Sequence, residues 1–227
     1  MDIKKIIKFS IPQILGTLIF TLGVAGLVAA GLGSGPIDAA AYFASVLLGL
    51  TQGSWTFILN GLLAITLLIA TKNLKVFLNI IMLLVLSVLI DFWIGIYENI
   101  FSFDVINTTI NNNNGFVSGL SVAIFSFFMV AFGVSILINF KSILSPLDAF
   151  TVFVSKFTKK YFIAKILVDT TFLVIALILG FIIGTSYITK QINFFSLIIV
   201  FGTGPVINML LDLYKKMKGE KLNVGIE

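Results

Sequence analysis

Six apolar runs, at about 11–32, 54–71, 76–97, 116–140, 161–184 and 193–214, leave this chain few ways to fold. Each approaches or exceeds the roughly 20 residues that carry an α-helix across a hydrocarbon core. Two shorter apolar stretches, about 36–50 and 146–158, sit between them. Composition agrees: of 227 residues, 59% are hydrophobic and 11% charged, with a mean hydropathy of +1.12. A soluble domain has roughly 45–50% apolar and about 25% charged residues. The expected class is an all-α polytopic membrane protein, a single transmembrane domain over 1–227 with six transmembrane helices plus two short interfacial or re-entrant helices. Lys4, Lys5 and Lys8 precede the first run as in a signal peptide, but the run is too long for that role and reads as an uncleaved first span.

The chain also repeats itself. Pro36-Ile37-Asp38-Ala39 returns 110 residues later as Pro146-Leu147-Asp148-Ala149. The same offset aligns Gly23 and Val24 with Gly133 and Val134, Leu27 with Leu137, Phe43 with Phe153 and Ser45 with Ser155. Leu89-Ile90-Asp91 matches Leu210-Leu211-Asp212 once an insertion of about ten residues is allowed around 183–194. The expected organisation is a first repeat over 11–97, an external polar loop over 98–115, a second repeat over 116–214 and a basic tail over 215–227.

Lysine placement sets the orientation. At about 13–15 residues, or roughly 20 Å, the short helices are too short to cross a core of about 30 Å. If neither crosses, Lys4, Lys5, Lys8, Lys72, Lys75, Lys141, Lys156, Lys159, Lys160 and the carboxy-terminal lysines share one side, and Lys190 alone falls opposite. If both cross, Lys72, Lys75, Lys141 and Lys190 all lie outside. The positive-inside rule selects the first arrangement, with both termini cytoplasmic. Three spans per repeat then turn the second copy over, so the repeats have inverted topology. Lys141, Lys156, Lys159 and Lys160 match Gly31, Val46, Gly49 and Leu50 of the first copy, as expected of one structural place facing opposite sides. Asn107-Thr108-Thr109 in the lysine-free loop has the form of a glycosylation sequon and reads as chance in a bacterium-like composition.

The chain has no Cys and no His, all fifteen basic residues are Lys, and there is no P-loop. That removes disulfides, thiolate and imidazole chemistry and nucleotide-driven work. No cofactor, metal site or catalytic constellation is expected, so the chain is not read as an enzyme. The net charge of +5 points to anionic lipid headgroups, not to nucleic acid.

Several residues are candidates for a substrate or ion pathway. Ser145, Pro146 and Asp148 fit N-cap, N1 and N3 of a helix, as do Gly35, Pro36 and Asp38 without the capping hydroxyl. Asp38 and Asp148 are therefore either helix-start signals or acids lining a cavity between the repeats. Asn60 and Asp169 occupy matched places in the second span of each half, allowing one residue of slippage, with Thr170 and Thr171 beside the acid. An ionisable group within a span marks a pathway or a buried partner, and Lys165 stands one turn before Asp169 as that partner. Gly202-Thr203-Gly204-Pro205 interrupts the sixth span, where Pro205 is expected to kink or break the helix. A broken helix at mid-membrane is where secondary transporters place substrate. Asp91 and Asp212 read as interfacial acids beside aromatic belts, and Gly16, Gly23, Gly26 and Gly133 as sites of close helix approach.

The pattern resembles the YitT/YczE type of bacterial integral membrane proteins. The resemblance rests on Gly31-Leu32-Gly33-Ser34-Gly35-Pro36-Ile37-Asp38, Gly53-Ser54-Trp55, Leu78-Asn79 and Ile90-Asp91. In the second half it rests on Pro146 with Asp148, Lys159, Lys160, Lys165 and Asp169, and Gly204-Pro205. That family usually carries Arg where this chain has Lys159 or Lys160, and the two are not equivalent for bidentate anion binding. The resemblance implies a bacterial inner-membrane protein and supplies no substrate. Two functions stay open. One is a secondary-type transporter or permease for a small solute or ion; the other is a non-transporting membrane partner, such as an accessory, immunity or regulatory subunit. The partners are the lipid bilayer and a small solute or ion, or else a second copy of the chain or another membrane protein.

Overall fold

The computed structural model describes residues 3–30, 32–50, 52–73, 76–101, 113–184, 188 and 191–217. Their regular elements are α1 (Ile3–Ala30), α2 (Pro36–Leu48), α3 (Gln52–Thr71), α4 (Val76–Phe101), α5 (Asn113–Asn139), α6 (Pro146–Thr158), α7 (Tyr161–Ile183) and α8 (Phe194–Met217). Six carry stretches long and apolar enough to cross a membrane: Ser10–Ala30, Ser54–Thr71, Val76–Tyr97, Gly119–Asn139, Tyr161–Ile183 and Phe194–Met217. The chain has the architecture of an all-α polytopic membrane protein. The expected loop over 98–115 is partly helix, because α4 and α5 extend into it. Its centre with the sequon, Lys75, Lys190 and the tail beyond Met217 lie outside the described residues.

Helices follow from the solvent. Hydrocarbon offers a backbone N–H or C=O no partner, so a spanning segment has to satisfy its own. The outer faces are correspondingly apolar, with Ile69 71%, Val88 70% and Phe181 64% exposed. Inside, the helices meet through small side chains: Ala25, Ala29, Ala39, Ala40, Ala131, Ala164 and Ala176 are all fully buried. Without a hydrophobic drive between helices in lipid, such residues let backbones come close enough for dispersion to hold them.

The two short helices agree residue for residue at the offset of 110. Each has 13 residues and begins on Pro; Gly35 (φ −61°, ψ 152°) and Ser145 (φ −59°, ψ 154°) are their N-caps. Both end on a left-handed residue, Gly49 (φ 80°) and Lys159 (φ 60°). Ser45 and Ser155 each donate to a carbonyl three residues back, Tyr42 and Val152, at 2.7 Å. The caps differ in one respect. Ser145 Oγ accepts from the Asp148 N–H at 3.1 Å and donates to Asp148 Oδ2 at 2.7 Å, while Gly35 has no side chain to do so.

Helix packing repeats too. α1 lies on α4 and α5 on α8; α2 lies on α3 and α6 on α7. Each short helix also packs on the other half, α2 against α7 and α6 against α3. The most extensive contact is α1 with α5. A Cβ on Gly23 would stand 2.6 Å from Val130 N, and one on Gly133 2.5 Å from Phe20 N. Gly16 meets Leu137 and Gly119 meets Ala30, so α1 and α5 run antiparallel. Two ties fix the linkers. Ser34 N–H and Oγ–H donate to Gln191 O and Oε1 at 3.1 and 2.9 Å. Gln13 brackets the Ile143 backbone, donating to its carbonyl at 3.1 Å and accepting from its N–H at 2.7 Å.

The expected break at Pro205 is absent. α8 is continuous from Phe194 to Met217 with Pro205 inside it. Proline takes one backbone hydrogen bond from the helix, and the segment stays helical where it packs on α7: Gly204 lies against Phe162 O, 3.0 Å from where a Cβ would stand.

Three stability measurements follow, all by unfolding the purified protein in detergent. Gly133→Val drives a side chain into backbone and should cost about 3 kcal/mol. Gly61→Ala, in open space on α3, should be neutral or slightly stabilising because alanine is the better helix former. Ser145→Ala removes both bonds of the α6 cap and should cost about 1–2 kcal/mol.

Candidate functional site

The beginnings of α2 and α6 converge on one internal cavity of about 160 Å³, to which every helix contributes. Its charged lining is Asp38, Asp148, Asp169 and Lys165, and its uncharged polar lining includes Ser34, Thr56, Asn60, Ser87, Ser145 and Thr203. The remainder is apolar and comes mostly from α1, α4 and α5, with Phe20, Leu27, Leu83 and Val134 among it. The helix starts bring Asp38 and Asp148 here because Pro at N1 fixes where each helix begins, two residues ahead of the acid. Lys165 and Asp169 lie one turn apart on α7 and so share a face.

Lys165 is the centre of the polar network. Its Nζ donates to Asp169 Oδ1 at 3.0 Å and lies 3.9 Å from Asp148 Oδ1. Asp148 also holds the Ser145 hydroxyl, so both its oxygens are engaged. Asp169 is 2% exposed, and its Oδ2 is buried with no hydrogen-bond partner. Asp38 is half-buried, and no hydrogen bond from a described residue reaches its carboxylate. Asn60 is buried and uses its amide N–H on the Thr56 carbonyl at 3.0 Å. Thr203 Oγ1 donates to Ile199 O at 2.7 Å, one turn back on α8. Among the described lining residues there are three carboxyl groups to one ammonium. An unpaired buried charge costs several kcal/mol, so this arrangement is not one that packing alone would favour.

The structure brings together Asn60, Lys165, Asp169, Asp38 and Asp148, from both halves of the chain. It separates the rest. Thr170 follows Asp169, but its hydroxyl is buried without a partner and does not line the cavity. Gly204 packs against α7, and Pro205 faces an open outer recess with Phe162, Asn208 and Asp212. Asp212 accepts from Asn208 Nδ2 at 3.1 Å, while the Asp91 side chain lies outside the described residues. Thr56, Ser87 and Ser34 line the cavity without having been singled out. For Thr56 and Ser87 the sequence signal is a hydroxyl in an apolar run, which more often bonds its own helix, as Ser87 Oγ does to Leu83 O at 2.9 Å.

No solved structure matches this chain. A curated relative, the "Uncharacterized protein YyaS" of Bacillus subtilis (strain 168), is 28% identical over 165 residues, 72% of this chain and 77% of the relative. Residues 7–212 match the family of unknown function DUF6198, a stretch that runs from α1 to the last turns of α8 and takes in every residue of the cavity. The chain therefore belongs to the DUF6198 family.

Proposed function

We propose that this protein is a secondary-type transporter or permease for a small solute, working by alternating access of two inverted-topology halves around the central cavity. The observation that carries the reading is the cavity itself. It lies between the halves, takes in both copies of the Pro-x-Asp helix start, and holds more acid than base. In a membrane, ionisable side chains that face a cavity mark solute and ion pathways. A partner subunit built only to dock in the bilayer leaves these acids without a task.

Inversion has support in the contacts. Shifting by 110 turns Gly23 into Gly133 and Val130 into Phe20, so these two glycine-to-backbone contacts of α1 and α5 exchange with each other. Matched helices that run antiparallel are what an odd number of spans per half requires. Were the short helices to cross, α1 and α5 would run parallel. With the lysine distribution, this supports a bacterial inner-membrane protein with both termini on the cytoplasmic side. The resemblance to YitT/YczE-type proteins points the same way. Work on a solute would draw on an ion gradient or the solute's own gradient, and the reading includes no catalytic step.

Two experiments test it. The chain has no cysteine, so Thr203→Cys gives a label site in the cavity without background. In oriented vesicles, a membrane-impermeant maleimide should modify it from either side. Labelling from one side alone, or from neither while the unfolded protein labels fully, would rule out alternating access. Lys165→Met leaves three carboxylates without their ammonium and should destabilise the protein by about 3–5 kcal/mol. The double variant Lys165→Met with Asp169→Leu should recover most of that loss, read by unfolding in detergent.

A further inference from the structure

We propose that the solute this cavity takes is a small organic ammonium, a protonated amine on a compact apolar body. The inference rests on the transport reading and deepens it. Four observations carry it. The first is the excess of carboxylate over ammonium among the lining side chains. The second is independent of charge counting: among the described residues, Asp169, 2% exposed, has a buried Oδ2 with no donor, and Asp38 lines the same space with none. The third is the remaining wall, where Phe20, Val24, Leu27, Leu83, Val130 and Val134 offer an apolar surface to the body of the ligand. The fourth is size. A cavity of about 160 Å³ is close to the roughly 150 Å³ that admits a benzene-sized molecule.

Other ligand classes fit less well. A divalent metal ion needs several oxygens converging on one point, and among the described residues no three acidic side chains gather closely enough to hold one. The N-termini of α2 and α6 would draw an anion by their dipoles. Each, however, carries its own carboxylate at N3, Asp38 and Asp148, which already occupies that positive end. Lys165 shows the chemistry in miniature. It is an alkylammonium on an apolar stem, bound to Asp169 at 3.0 Å with Asp148 at 3.9 Å. The free ligand repeats that contact with the groups Lys165 leaves over, donating to the Asp38 carboxylate and to Asp169 Oδ2.

The test uses the full chain in nanodiscs of zwitterionic lipid and three probes with one body: cyclohexylammonium, cyclohexanol and cyclohexanecarboxylate. Calorimetric titration at fixed ionic strength should show the ammonium binding at least tenfold more tightly than the alcohol, and the carboxylate not at all. Asp38→Asn should weaken the ammonium at least tenfold with little change in melting temperature, because no described residue donates a hydrogen bond to that carboxylate. Asp169→Asn should weaken the ammonium as well, with a lower melting temperature because it also breaks the pair with Lys165, and serves as the second variant. Tighter binding of the carboxylate, or ammonium binding indifferent to Asp38→Asn, overturns the proposal. The Thr203→Cys labelling separates the two readings. Access from both sides without ammonium binding discards the ligand class and keeps transport. Ammonium binding with access from one side discards transport and keeps the site.

Discussion

Close backbone contact between α1 and α5 is the constraint on which the rest of this structure depends. Lipid tails are as apolar as leucine, so two spanning helices gain little from merely hiding from solvent. Here they touch through Gly23 and Gly133, where a single added carbon would overlap the opposite backbone. That crossing brings the first and second halves together near their middles. α4 leans on one of the pair and α8 on the other, and the two short helices reach across between them. The cavity is the space left where those short helices begin.

The electrostatics of that space follow from which groups are satisfied locally. Asp148 has Ser145 as a neighbour in sequence, and Asp169 has Lys165 one turn away. Asp38 has neither, because Gly35 stands where Ser145 stands in the other copy. The two helix starts therefore agree in geometry and differ in what their acids have to do. One carboxylate is spent on its own cap. The other is left facing the cavity, in surroundings where an uncompensated charge is expensive. A repeat that had drifted without consequence would have no reason to keep the acid at both places and the hydroxyl at one.

Much of this was legible in the chain. Span limits came through within a few residues because apolar length is a local property, written in consecutive side chains. The short helices were placed to the residue at their starts, since Pro36 and Pro146 carry their own positional rule. The Lys165–Asp169 pair followed from helical spacing alone. What could not be read was anything that needs two distant elements at once. Asp148 approaches Lys165 only because α6 packs on α7. Asp38 joins them because α2 crosses to the other half. Pro205 misled in part: the break that its local signal allowed is absent, and α8 stays continuous where it packs on α7. The same contact turns Gly204 toward the α7 backbone, while Pro205 faces outward.

The crossing-over of the short helices also bears on how such a protein is made. A ribosome delivers the first half before α7 exists. Ile37, Ala39, Ala40 and Phe43 of α2 are buried largely against residues of α7, Val168, Phe172 and Ala176 among them. Until α7 arrives, that face of α2 has only lipid or a temporary neighbour to cover it, and the helix is too short to stand alone across the bilayer. α2 would then finish settling only late in synthesis, with Asp38 carried into place by a segment translated more than a hundred residues after it. Neither half could complete the cavity by itself, and the chain would become one cooperative unit only when its last helices were in the membrane.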